Sequence, residues 1–361
     1  MLLKNNIKIL ALTKYDSLGA SSRLRTIQYT EPLMRYGFDV DVFPLISNKM
    51  LKKRYEKGNY GLLNIIHAYA KRFRALLIVR SYDLVIVEKE SLPWVPVWIE
   101  LYLLSKRPYT LDLDDATFHN YDLHRFWLVR FIFGTRLDKL MLSASCVTCG
   151  NDYLKARASK AGANDIMYVP TVVDLDKYTL LSYDNKKREG ESIKIVWIGT
   201  PATQKYLNLV SGILTHLAAI YDFTLVVVGS DNFTSDKFNV QRLNWNESTE
   251  NEVLSQCDIG IMPLFDDKWE RGKCGYKLIQ YSASGLPVIG SSIGVNRSII
   301  DHGRTGFLAA DKQDWIYALE TLFNDVNLRH KMGRAGRSNI ELSYNLKTWT
   351  ERLSKTFEDI S

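Results

Sequence analysis

Short apolar runs that are continuous rather than alternating recur along this chain, and they limit its fold more than any other feature. In the first half they are Ile7–Leu12, Val40–Phe43, Leu84–Val87, Tyr109–Leu113, Cys146–Cys149 and Met167–Val169. A strand with one wet face alternates polar and apolar side chains, so a run that is apolar throughout is buried on both faces. Between the runs lie longer segments with helical spacing, Arg23–Tyr36 and Trp127–Ser143 among them. Strands buried on both faces and joined by helices predict a parallel sheet covered on both sides, a Rossmann-like half.

Near Ser182 the chain turns polar and loses apolar periodicity, and the stretch Tyr183–Glu191 reads as a linker. A second series follows: Ile193–Ile198, Leu225–Val228, Asp258–Met262, Pro287–Gly290 and Gly306–Leu308, with helical segments such as Gln204–Ala219 and Asp314–Asn324 between some of them. A length of 361 residues exceeds the ~100–200 typical of one domain. The expectation is an α/β chain of two Rossmann-like, doubly wound domains, 1–182 and 192–344, facing across a cleft. The amphipathic segment 345–361 is expected to pack back as a closing helix on the first domain. Ligands of such sheets bind at the carboxyl ends of the strands, so function is sought in the loops that follow them.

Composition narrows the class. Apolar residues are 46% and charged residues 24%, which excludes a disordered tail, a collagen-like fibre and a coiled coil. Forty-seven Lys and Arg against forty Asp and Glu leave +7; the excess suits nucleic acid, an acidic membrane face or a phosphorylated substrate, or is an ordinary basic surface. No nucleic-acid module is recognisable, so no nucleic-acid partner is expected. Four cysteines without framework spacing favour a reducing compartment. Cys146-x-x-Cys149 lacks the second pair that zinc needs and lies in an apolar run, so it reads as packed thiols. The N-terminus has no long apolar run, and no stretch reaches the ~18 uncharged residues of a spanning helix; Trp94–Leu104 comes closest and Glu100 interrupts it. A cytoplasmic protein, peripheral at most at the inner face of the cell membrane, is expected.

Neither Gly-x-Gly-x-x-Gly nor a Walker loop occurs, which argues against hydride transfer and P-loop ATP hydrolysis. Two looser glycine turns follow strands, Gly19-Ala20-Ser21-Ser22-Arg23 and Gly199-Thr200, each opening onto a helix; they suit phosphate or merely turn the chain. The richest constellation runs from Trp269 to Ile289. Arg271 and Lys273 lie in a loop after a strand, Gly275 lets backbone approach a ligand, and Lys277 falls in the first turn of the next helix. Cations and free amides together suit a diphosphate, and a solvated basic loop is the alternative.

This segment, continuing through Gly290–Arg297 and Asp301–Leu308, resembles the C-terminal donor-binding region of retaining GT-B glycosyltransferases of family 4, closest to those that make bacterial surface polysaccharides. Gly19–Arg25, Pro170–Asp174 and Gly199–Pro201 extend the resemblance over most of the chain. It implies a nucleotide diphosphate-sugar donor held mainly by the second domain, a glycan or lipid-linked acceptor held by the first, and no metal or further cofactor. Carried onto this sequence, it makes Gly19, Gly199, Thr200, Lys205, Arg271, Lys273, Gly275, Tyr276, Lys277 and Gln280 the donor-binding positions. The chain departs from the family where two glutamates with seven residues between them are usual: Gly272 and Gln280 stand there. Glu270 lies two residues from the first as a candidate substitute, and Gln280 keeps an amide for ribose hydroxyls. Lys205 is the nearest candidate for the basic pair of the first loop of the second domain.

Asp112-Leu113-Asp114-Asp115-Ala116 ends a strand of the first half. Paired carboxylates serve as acid and base, hold Mg²⁺ or cap the next helix. The resemblance puts Asp114 and Asp115 where relatives carry His-Asp near the reacting sugar, as the catalytic pair; His119 and His124 lie close by. Basic and aromatic residues crowd Lys71–Arg74 and Phe126–Phe133, which suits peripheral contact with anionic lipid or, alternatively, core helices. Two other functions fit a chain of this kind: a nucleotide-sugar 2-epimerase of the same architecture, and a non-enzymatic polyanion-binding protein.

Overall fold

The computed structural model describes residues 6–178 and 192–361; the expected linker, Tyr183–Glu191, and the expected boundary at 182 lie outside them. Contacts divide the chain into two compact units. The first comprises residues 1–171, 272–274 and 346–361, and the second 172–271 and 275–345. Val172 onward belongs to the second unit, and there the Val173 amide donates to the Tyr344 carbonyl at 3.0 Å.

The first unit is built on six parallel strands: β1 (Ile7–Tyr15), β2 (Phe38–Ile46), β3 (Leu84–Glu88), β4 (Tyr109–Leu113), β5 (Cys146–Cys149) and β6 (Ile166–Tyr168), in the order β2-β1-β3-β4-β5-β6. The second has β7 (Ile193–Ile198), β8 (Phe223–Val228), β9 (Asn239–Leu243), β10 (Ile259–Met262), β11 (Val288–Ser291) and β12 (Gly306–Ala309), ordered β12-β11-β10-β7-β8-β9 and again all parallel. Both units are Rossmann-like. Each order reverses once, between β1 and β3 and between β7 and β10, and loops part at that point to leave a crevice at the carboxyl ends.

Buried runs such as Leu84–Glu88 and Tyr109–Leu113 have no exposed residue, which is why they read as continuous apolar segments. The polar strand β9 escaped that reading because its side chains are mostly exposed at the sheet edge. Arg23–Tyr36 is not one helix but Ala20–Arg25, a 3₁₀ turn at Ile27–Tyr29 and Thr30–Met34. Thr26 leaves helical geometry at φ −131°, and Pro32, which has no amide to donate, sits in the first turn of the restarted helix. Trp127–Ser143 similarly divides into Trp127–Phe133 and Arg136–Ser143 at Gly134-Thr135. The helix Val326–Ser343 went unread because Gly333 and Gly336 interrupt its pattern; a Cβ on Gly336 would lie 3.3 Å from the Ser282 hydroxyl, so glycine keeps this helix close to Tyr276–Ala283.

The helix Leu346–Ile360 belongs to the first unit, where Phe357 meets Phe38 edge-on at 6.1 Å and Trp349 meets Tyr168. The same unit buries Arg136, which pairs with Glu90 at 2.8 Å and with Glu100 and donates to the Leu92 carbonyl at 2.7 Å. All four cysteines are buried and free. Burial pushes the thiols of Cys146 and Cys149 up to about 12, as inert packed groups require.

Candidate functional site

In the first unit the chain ends of β1, β3 and β4 gather a polar cluster at the switch point. Gly19 opens the helix Ala20–Arg25; a Cβ there would fall 2.2 Å from that of Tyr15, so the position needs glycine for close packing. The turn aims two hydroxyls at β3. Ser22 donates to Glu88 Oε2 at 2.5 Å, and Ser21 lies 2.9 Å from Glu88 Oε1 and 2.5 Å from Asp114 Oδ2. Lys89 completes the set: its ammonium is 2.8 Å from Asp114 Oδ1, 3.8 Å from Glu88 and donates to Ser21 at 2.7 Å. Its backbone stands at φ 63°, a left-handed conformation that costs a non-glycine residue about 1–2 kcal/mol.

The electrostatics follow from this packing. Burial opposes the charge on Asp114, but Lys89, then Arg25, outweigh it and hold the carboxyl below the usual aspartate value. Glu88 is pushed up, chiefly by burial and in part by Asp114, despite Lys89. Lys89 is raised, its burial overcome by Asp114 and Glu88. Asp114 is thus an ionised carboxylate fixed by an ammonium and a hydroxyl, the condition for electrostatic work on a developing positive centre.

Asp112 has a different fate. Both its oxygens take the Arg25 guanidinium, at 2.6 and 3.0 Å, and Oδ1 also accepts from Thr148 at 2.6 Å. An Asp-x-Asp pair on metal would need these oxygens, and among the described residues no group of three or more His, Cys, Asp or Glu is placed to hold an ion. Neither Asp114 nor Asp115 caps the next helix, His119–Asp122, whose preceding residue is Phe118 with no side-chain cap. Asp115 Oδ1 is 3.8 Å from Lys273, which counts with this unit, and Cys274 donates to the Asp114 carbonyl at 3.0 Å. Asn151 holds the same short stretch by donating to the Gly272 carbonyl at 2.8 Å. Gly272 has no room for the family's glutamate: a Cβ would stand 2.6 Å from Ala116 Cβ and 2.7 Å from its amide nitrogen. His119 is engaged between Asp122 and Tyr153, both at 2.7 Å.

The remaining positions expected to bind the donor lie in the second unit, around the ends of β7 and β10. Gly199 follows β7, and a Cβ on it would strike the Trp197 ring at 2.2 Å; Lys277 holds its ammonium 5.8 Å from the centre of the same ring. Trp197 therefore brings Gly199 and Lys277 together. The Thr200 amide donates to Thr203 Oγ1 at 3.0 Å, and the exposed Lys205 lies 5.2 Å over the Tyr206 ring. Gly275 precedes the helix Tyr276–Ala283 at φ 67°, with no side chain capping the helix. A Cβ there would also meet Ile299 at 2.3 Å. Amides and dipole at this helix start favour an anion.

Arg271 forks onto Asp266 at 2.8 and 3.2 Å on the surface. Glu270 is buried and accepts the Tyr206 hydroxyl at 2.6 Å. Gln280, also buried, donates its amide to Glu250 and to the Tyr178 hydroxyl, which lies 3.4 Å from that of Tyr276. Glu250 further accepts from Trp245 at 2.6 Å. Sequence reasoning passed over Ser21, Ser22, Glu88, Lys89 and Glu250. The signal for two of them, Glu88 and Lys89, was the charged triplet Glu88-Lys89-Glu90 set against the end of an apolar strand; Glu250 sits in a polar stretch with nothing to mark it.

Residues 192–325 match the family described as Glycosyl transferases group 1. The second unit carries a group 1 glycosyltransferase domain. The chain is 27% identical over 147 residues to D-inositol 3-phosphate glycosyltransferase of Paenarthrobacter aurescens, covering 36% of this chain and 35% of that protein. The matches to curated relatives span between 18% and 53% of their lengths. Among solved structures, sucrose-phosphate synthase from Thermosynechococcus elongatus superposes with TM-score 0.72 at 14% identity over 99% of both chains. HepE of Anabaena, solved with UDP-glucose, superposes at 0.68 with 15% identity, over 98% of this chain and all of that one. At these identities the likeness is one of fold, two Rossmann-like domains of the GT-B kind.

Proposed function

We propose that the chain is a retaining glycosyltransferase of family 4 that moves a sugar from a nucleotide diphosphate-sugar donor to a glycan or lipid-linked acceptor, in the cytoplasm and in surface polysaccharide biosynthesis. One observation carries the reading: within the glycosyltransferase domain, the switch point between β7 and β10 ends in an uncapped helix start behind a left-handed Gly275, with Lys277 in its first turn. Amides of that turn and the Lys277 ammonium stabilise the departing diphosphate, the part a metal plays elsewhere. Lys273 assists from the adjoining loop. Gln280 and Glu250 take the ribose hydroxyls, the carboxylate coming from Glu250 where relatives carry glutamate at the position of Gln280. In a retaining reaction the leaving phosphate takes the acceptor's proton, so no strong protein base is required; Asp114, ionised and fixed, answers positive charge on the sugar.

Thermal-shift titration with uridine, guanosine and adenosine diphosphates tests the donor site, since a ligand at a hundred times its Kd adds about 2.7 kcal/mol of apparent stability. Product analysis with the matching nucleotide-sugar then tests the reaction. Free nucleoside diphosphate with a glycosylated acceptor supports transfer; an altered sugar still on its nucleotide identifies an epimerase instead.

A further inference from the structure

Three helices of the first unit, Leu62–Leu77, Val97–Leu104 and Trp127–Phe133, turn large apolar side chains to solvent. Trp127–Phe133 buries none of its residues, and Phe131 is 81% exposed. On Leu62–Leu77 one flank packs inward through Ala68, Arg72, Ala75 and Leu76, while Leu63, Ile66, Phe73 and Leu77 lie exposed at helical spacing on the other. Val97–Leu104 exposes Trp98 and Tyr102, one turn apart. The surfaces join: Leu62–Leu77 packs on Val97–Leu104, the Tyr69 hydroxyl donates to the Pro93 carbonyl at 2.7 Å, and the Trp94 ring meets Phe133 edge-on at 6.0 Å.

Charge on this face has one sign. Leu62–Ser81 and Leu123–Leu137 contain no acidic residue, and the only one between Trp94 and Tyr109 is Glu100, fully buried against Arg136. Lys71, Arg74, Lys106, Arg107, Arg125 and Arg130 are all exposed. Arg72, which the sequence grouped with its basic neighbours, is not on the surface; it is buried with its guanidinium on the Thr13 carbonyl.

An apolar surface of this extent on a folded chain marks a binding face. A second copy docked through it about a two-fold axis would bring cations against cations with no carboxylate to answer them. We infer that this face lies on an anionic lipid surface, with the aromatic and aliphatic side chains entering the headgroup boundary and the cations holding lipid phosphate. The inference does not rest on the transfer reaction, and its test contains no sugar donor.

The full chain is floated with vesicles of phosphatidylcholine alone and with vesicles containing about one-third phosphatidylglycerol. Binding is expected to the anionic vesicles only, to weaken as salt rises, and to quench tryptophan emission when the acyl chains are brominated. At roughly fivefold per cation, Arg125→Gln with Arg130→Gln lowers the partition roughly 25-fold. Trp127→Ser with Phe131→Ser abolishes flotation, and both pairs, being exposed, keep the parent melting temperature. Absence of flotation on anionic vesicles overturns the inference, as does equal, salt-independent binding to both kinds. A lipid-free dimer that separates on the Trp127/Phe131 change also overturns it, making the face a contact between copies.

Discussion

The two units place polar groups at equivalent points of their sheets, where the strand order reverses, yet they finish them differently. At the β1/β3 point of the first unit the clustered groups answer one another from within: Lys89 by Asp114 and Glu88, Glu88 by Ser21 and Ser22, Asp112 by Arg25. At the β7/β10 point of the second, the helix start has backbone amides without a side-chain cap and Lys277 in its first turn. The first arrangement fixes the charge and direction of Asp114 from within the chain; the second has the open amides and helix dipole that suit an anion. On the proposed function, preorganisation and recognition are divided between the two units.

The largest expected effect comes from breaking the internally balanced side. Lys89→Met leaves two carboxylates buried without their ammonium and is expected to cost about 3–5 kcal/mol, or roughly 10 °C in melting temperature. Adding Asp114→Asn to that variant should recover part of the loss. A shift of a degree or less would mean that the cluster is solvated, and the contrast between the units would fall.

On the recognition side the loss should appear in binding and not in stability. Lys277→Ala or Lys273→Ala should weaken nucleoside diphosphate binding by about 1.5–3 kcal/mol, or roughly ten- to more than a hundred-fold, at unchanged melting temperature. Binding of the bare nucleoside should hardly move. Equal loss for nucleoside and diphosphate would point to a collapsed loop and refute the phosphate assignment.

A smaller effect separates Asp114 from its neighbour by pH. Its folded-state value is depressed, so the stability it contributes is present above the ordinary aspartate value and is lost as pH falls through the lower folded one. Glu88, raised by burial, acts with the opposite sign, and its contribution declines as pH rises through its folded value. Asp114→Asn should flatten the acid limb of a melting-temperature profile, and Glu88→Gln should leave that limb in place. If Asp114→Asn lowers the melting temperature but leaves turnover unchanged, the carboxylate only holds the structure. The smallest expected effect is none: chelator should leave transfer intact, and activity that vanishes with chelator and returns with Mg²⁺ or Mn²⁺ would refute metal independence.

Much of the fold could be read in advance because doubly buried strands have no polar position to confuse the pattern; Tyr109–Leu113, Cys146–Cys149 and Ile193–Ile198 have the same limits in the sequence and in the structure. The exposed edge strand Asn239–Leu243 left no such trace. Among the candidate positions, Gly199 and Gly275 were marked by their place in loops that follow strands, and neither has room for a Cβ. Ser21, Glu88 and Lys89 were not, since nothing local tells that residues 67 to 93 positions apart along the chain share hydrogen bonds. Gly272 showed only as a departure from the family; the reason for it, the backbone of Ala116, is a long-range contact.

The helix Leu346–Ile360 belongs to the first unit but follows the whole of the second in the chain. On a ribosome adding about 5–20 residues per second, the 174 residues from 172 to 345 separate the end of the first unit's main segment from this helix by roughly 9–35 s. Throughout that interval Phe38 and Tyr168 lack their partners Phe357 and Trp349. The unit begun first is therefore the one finished last, and in the meantime its uncovered apolar surface is what a chaperone would meet.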